Sequence, residues 1–164
     1  MAWSIVRYPT RWWCEMPLLN YTSKVPVSQS VAQIQDILAK HGATSIHNDY
    51  DGQGHITGLA FQVQAKGGKV AFRLPAKALQ VQAVLVREYK AGLAHRAQTT
   101  YQQAERVAWR ILKDWIEVQM ALLESEMVEM TEIFLPYLIT GDSTYYEKLQ
   151  TDWGRFLLPE GMGK

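Results

Sequence analysis

The chain has a single cysteine, Cys14, in 164 residues. That excludes a disulfide within the chain and any metal centre built from paired thiolates, and it suits a reducing compartment. Long apolar runs are missing as well. Nothing approaches the roughly 18 consecutive apolar residues of a membrane-spanning helix, and no early segment has the apolar stretch of a secretory leader. The expectation is a cytoplasmic protein that makes no membrane contact. Neither sign of charge is in excess: 17 Lys and Arg stand against 16 Asp and Glu, a net of +1. No global field therefore draws the chain to nucleic acid or acidic lipid, and any such binding rests on a local patch.

Motifs that carry chemistry are also scarce. His41, His47, His55 and His95 fall in separate segments, with no i, i+4 pair and no neighbouring cysteine, so no metal site is expected. The Lys66-Gly67-Gly68-Lys69 turn lacks the G-x-x-x-x-G-K-[ST] frame that cradles a phosphate. Asp49-Tyr50-Asp51-Gly52-Gln53-Gly54 opens like a calcium loop, but Ala60 occupies the position where the bidentate carboxylate belongs, which leaves a hairpin turn. G-x-S-x-G is absent, and Cys14 lies in a stretch with no helix or strand period, without a base or an orienter. The carboxylates between Glu117 and Glu132 have the spacing of a solvated surface as much as of a magnesium site. We expect no catalytic residues, no cofactor and no metal, and read the protein as a non-enzyme.

What the sequence does contain is one long amphipathic segment, Gln103 to Leu123. Ala104, Val107, Ala108, Ile111, Trp115, Val118 and Leu122 recur at i, i+3, i+4, i+7 and predict a core stripe. Trp109, Leu112, Ile116, Met120 and Leu123 form a second apolar line beside it. The combined arc is wider than one neighbour covers and predicts a helical hairpin with the C-terminal segments, or a homodimer. Two readings compete for the polar arc. Arg110 with Asp114 and Lys113 with Glu117 make i, i+4 pairs on a solvated face; alternatively Arg106, Arg110 and Lys113 form a basic ridge beside a stacking Trp109 ring.

The remaining elements follow in order. Residues 1–15, with Trp3, Trp12 and Trp13 and two arginines, read as an N-terminal extension ahead of one domain over residues 16–158, with residues 159–164 frayed. Leu19 to Val25 is rich in β-branched and aromatic residues and predicts an edge strand closed by Pro26. Val31, Ile34, Ile37 and Leu38 predict a helix ended by Gly42. Thr44 to Tyr50, His55 to Gln64 and Val70 to Leu74 predict three antiparallel strands joined by turns. Leu59, Phe61, Val63, Val70, Phe72 and Leu74 then share one face, while Gln62, Gln64, Lys69 and Arg73 share the other, with Lys24 joining them from the first strand. Ala76 to Tyr89 predicts a helix with Leu79, Val84 or Ala83, and Val86 inward. TEIFLPYLI predicts a short helical piece broken at Pro136, and Tyr145 to Trp153 a last helix. The fold class is α+β: an antiparallel sheet of about four strands in β-α-β-β-β-α-α order, with helices on one face and the long helix central.

Helix, three strands and helix is also the element order of double-stranded RNA-binding domains, but Pro75-Ala76-Lys77-Ala78 supplies one lysine where that fold has a cluster. The blocks VAFRLPA and VAWRILKDW, with YTSKVPVSQSVAQIQDILAKHGA and EIFLPYL, resemble small uncharacterised proteins of bacterial phages and mobile elements, over about Met16 to Leu138. That resemblance implies a setting and carries over no catalytic or binding residues. The functional expectation is a non-enzymatic nucleic-acid-binding accessory protein, single-stranded DNA first, with Lys24, Lys69, Arg73, Arg106, Arg110 and Lys113 on phosphates and Trp109 stacking. The alternative is an oligomerisation or protein-interaction module that takes a host or phage protein through Trp109, Ile116, Met120 and the acidic segment.

Overall fold

A computed structural model describes residues 16–152; the expectations for residues 1–15 and for residues 153–164 lie outside the described residues. In chain order the elements are α1 (Val27–Lys40), β1 (Ala43–Tyr50), β2 (Ile56–Ala65), β3 (Gly68–Pro75), α2 (Ala78–Lys90), a 3-10 turn (Arg96–Thr99), α3 (Tyr101–Glu124), α4 (Met130–Phe134), a 3-10 turn (Leu135–Tyr137), β4 (Ile139–Thr140), β5 (Ser143–Thr144) and α5 (Tyr145–Thr151). The fold is α+β with antiparallel pairing throughout. A three-stranded sheet, ordered β1-β2-β3, carries the strands, and β4 and β5 form a separate two-stranded ribbon.

Contacts divide the chain into two compact units, one from residues 1–31 and 77–114, the other from residues 32–76 and 115–164. In the first, Leu85, Ala104 and Val107 are fully buried, with Leu18, Tyr21, Val81 and Ile111 packed against them. The expected strand from Leu19 to Val25 does not form. Its backbone is spent on turns, with Tyr21 N bonded to Leu18 O and Ser23 N to Asn20 O, and Asn20 sits at φ +62°. The Gln103 side-chain amide then takes the Tyr21 and Ser23 carbonyls at 3.0 and 2.9 Å, acceptors that a sheet partner would have needed. In α2, Ala78 and Leu85 are the buried positions, whereas Leu79, expected inward, points to solvent.

In the second unit, alternation along β2 and β3 places Leu59, Phe61 and Val63 beside Leu74, Phe72 and Val70, with the β1 residues Asn48 and Ile46 in the same rows. Phe61 and Phe72 meet Phe134 of α4 at centroid distances of 5.2 and 5.6 Å, and Trp115 of α3 meets Phe134 at 5.6 Å. These helical residues cover one face of the sheet. Pro136 lies in the 3-10 turn after α4, where its missing N–H ends the α-helical ladder. Leu138 then bridges to Phe72 on the outer side of β3.

Candidate nucleic-acid interface

The face of the sheet opposite Phe61 and Phe72 has three cross-strand rows: Ser45–Gln62–Ala71, His47–Ala60–Arg73 and Asp49–Gly58–Pro75. Lys69 stands opposite Gln64 at the β2–β3 end. His47, Gln64, Lys69 and Arg73 are exposed, while the central strand presents Gly58 and Ala60 at one end of the face and Gln62 and Gln64 at the other. The former end is a trough floored by small residues and walled by polar ones. Gly58 has a specific reason to be there. A Cβ at that position would lie 3.2 Å from Asp49 Oδ2 and 3.2 Å from Leu74 O, so the missing side chain lets the Asp49 carboxylate cross β2 and come within 3.5 Å of Arg73 Nε. Ser45 Oγ and His47 Nε2 are 2.8 Å apart along β1. Beyond the end of β1, the Asp51 carboxylate accepts from the backbone N–H groups of His55 and Gln53 at 2.9 and 2.8 Å. Those bonds, the His55 one foremost, hold its pKa below the ordinary carboxylate value.

The residues expected to bind nucleic acid are distributed unequally over this geometry. Lys69 and Arg73 lie on the open face as expected. Lys24 is exposed but lies outside the sheet, because the strand that was to carry it is a run of turns. Trp109 is 1% exposed and offers no ring face on which a base could stack. Arg110 and Lys113 each reach Asp114 Oδ1 at 3.6 Å, and the same carboxylate accepts from Asn20 Nδ2 at 2.7 Å. Lys113 is itself buried, and Arg106 is half-buried. The proposed cationic ridge beside an open indole is therefore not formed. Of the two readings of that arc, the Arg110–Asp114 pair is the one the structure contains.

The physical reason is which line of α3 faces inward. Glu105, Trp109, Lys113, Ile116 and Met120 recur at four, four, three and four residues and are all buried, so the line expected to be surplus is part of the core. Val118, expected in the core stripe, is 58% exposed. Trp109, Ile116 and Met120 are likewise withdrawn from any protein partner. The polar residues that sequence reasoning missed are Ser45, His47 and Asp49. Strand parity carries the signal for them: once Phe61 and Phe72 point inward, the antiparallel register turns these three outward. Among the described residues, no helix is long and apolar enough to cross a membrane.

No family model matches the chain, nor does any curated protein or solved structure.

Proposed function

We propose that the open sheet face binds the backbone of a single-stranded nucleic acid, DNA first, without catalysing a reaction on it. One observation carries this reading: the His47–Ala60–Arg73 row, with Lys69 beside it, sets cations and neutral donors around a floor at Ala60, one row from Gly58, which the Asp49 carboxylate crosses to reach Arg73. Such a floor allows close approach of an extended chain. Guanidinium and ammonium groups supply phosphate contacts, and Gln62 and Gln64 add amide hydrogen bonds. Among the described residues, the rows of this face hold no Phe, Tyr or Trp, so the surface suits the backbone better than base stacking. The test is fluorescence anisotropy with a labelled oligonucleotide at low salt. Arg73→Glu and Lys69→Glu should each weaken binding severalfold, and Lys24→Glu, outside the sheet, should leave it unchanged. Equal affinity for all four proteins would remove the proposal.

A second reading rests on a groove of about 460 Å³ lined by Leu123, Met127, Val128 and Met130, with Glu126, Glu129 and Glu132 around it. Met127 is 70% exposed there. Flexible thioethers under a carboxylate rim suit a basic, apolar peptide of another protein. Binding of such a peptide that Met127→Glu left intact would remove this reading.

A further inference from the structure

The two edges of the three-stranded sheet are finished differently. The outer edge of β3 carries Lys69, Arg73 and Pro75, and Leu138 bridges to Phe72 there. Those are the devices that stop a sheet from growing: charge, a missing N–H and a covering segment. β1, ATSIHNDY, has no lysine, arginine or proline, and none of its residues is buried. Among the described residues, β2 is its only strand partner.

Hydrogen-bond parity shows what this edge offers. Ala76 N donates to Thr57 O, so Thr57, Leu59, Phe61 and Val63 exchange backbone bonds with β3, and Gly58, Ala60 and Gln62 exchange them with β1. Their β1 partners are Asp49, His47 and Ser45. The backbone groups of Ile46, Asn48 and Tyr50 therefore point outward, away from β2. The extra residues that interrupt the pairing lie at Thr44 and, on β2, at Thr57, which leaves Ser45 to Tyr50 as a regular ribbon.

This ribbon is complementary to itself. With a two-fold axis at Asn48, antiparallel pairing to a second copy sets Asn48 against the partner's Asn48 and Ile46 against the partner's Tyr50, and all of these are outward-pointing residues able to exchange two bonds per pair. The intervening pair is His47 against the partner's Asp49, a non-hydrogen-bonded position at which side chains come closest. Twofold symmetry makes that contact twice. It also covers Tyr50, whose side chain is otherwise 61% exposed. A shift of the axis to His47 would still let Ile46 and the partner's Asn48 exchange backbone bonds, but it would place His47 against the partner's His47 and Asp49 against the partner's Ser45, so the imidazole would lose its carboxylate partner.

We propose that β1 is a homodimerisation edge, at which two copies join antiparallel about Asn48 into a continuous six-stranded sheet. The occupant is a second copy because, among the registers that satisfy the backbone groups, the one about Asn48 also matches imidazole to carboxylate and apolar to aromatic. Joining the sheets sets two open polar faces side by side, but the association does not depend on what those faces bind. It is therefore tested without nucleic acid.

Sedimentation equilibrium on the full chain should show a reversible monomer–dimer equilibrium. His47→Glu, which sets glutamate against the partner's Asp49, should weaken the association about tenfold through two like-charge cross-strand pairs. Adding Asp49→Lys to that variant should restore it. In a Cys14→Ser background, Asn48→Cys should oxidise to a disulfide-linked dimer, and Thr44→Cys, far from the axis, should not. Circular dichroism melts at low concentration verify that each variant is folded. The proposal is overturned by a wild-type chain that remains monomeric at its highest soluble concentration, by a dimer whose constant His47→Glu leaves within twofold, or by cross-linking at Thr44→Cys in place of Asn48→Cys.

Discussion

Phe134 is fully buried, with the rings of Phe61, Phe72 and Trp115 around it at 5.2 to 5.6 Å. Truncating it removes both the transfer energy and the ring contacts with three aromatic neighbours, two of them edge-on. Phe134→Ala should cost about 3–5 kcal/mol in urea unfolding, whereas Val118→Ala on the exposed side of α3 should stay within about 0.5 kcal/mol. Comparable losses for the two would mean that this cluster is not where the second unit stores its stability. Asp51 gives a prediction of a different kind. Its native pKa is lowered, chiefly by the His55 backbone N–H, so the ionised form stabilises the fold above the unfolded value, and that contribution fades as pH falls through the native one. Asp51→Asn should melt below wild type at pH 7, and the gap should close in acid, below the ordinary aspartate value of about 3.9. A gap independent of pH would show that the charge is not what the turn uses.

At the level of elements, helix ends and turns were largely legible. Gln103 to Leu123 was expected helical, and α3 runs Tyr101–Glu124; Gly42, expected after the first helix, adopts φ +91° there. The last helix begins at a T-x-x-E capping box: Glu147 N donates to Thr144 Oγ1 at 3.3 Å, and Thr144 N to Glu147 Oε2 at 2.7 Å. Thr144→Ala should cost about 1 kcal/mol, visible as faster amide exchange in α5. An unchanged exchange rate would remove the cap from the account. The first strand was not legible. Leu19 to Val25 has the composition of a strand, but the residue that decides its conformation is Gln103, some 80 positions away in sequence. The inward side of α3 was not legible either, because two adjacent apolar lines at helical spacing look alike until something packs on one of them.

For the whole molecule, the net charge of +1 leaves any polyanion binding to local geometry. If the open sheet face takes a single strand through Lys69 and Arg73, two neutralised phosphates imply a slope of about −1.4 in log affinity against log salt. A salt titration measures this directly. A slope near zero would mean that these cations do not meet phosphate, and a slope several times steeper would mean that the contact surface extends beyond the sheet. The candidate surface could be half-read in advance: Lys69, Arg73, Gln62 and Gln64 follow from alternation alone. Alternation carries no such signal for Trp109 and Lys113, since a tryptophan beside basic residues has the same sequence pattern whether its ring is open or sealed.

The amino-acid sequence alone determined most of the local periods: the segments that are helices, the three alternating strands between Ala43 and Pro75, and the glycine that ends the first helix. Those properties depend on neighbours within a turn or two. Only the tertiary structure decided that Trp109, Ile116 and Met120 are core, that Asp114 takes Arg110 and Lys113, and that β1, among the described residues, has a strand on one side only. Each of these depends on groups distant in sequence competing for the same apolar surface or the same carboxylate, and proximity along the chain does not reveal the winner.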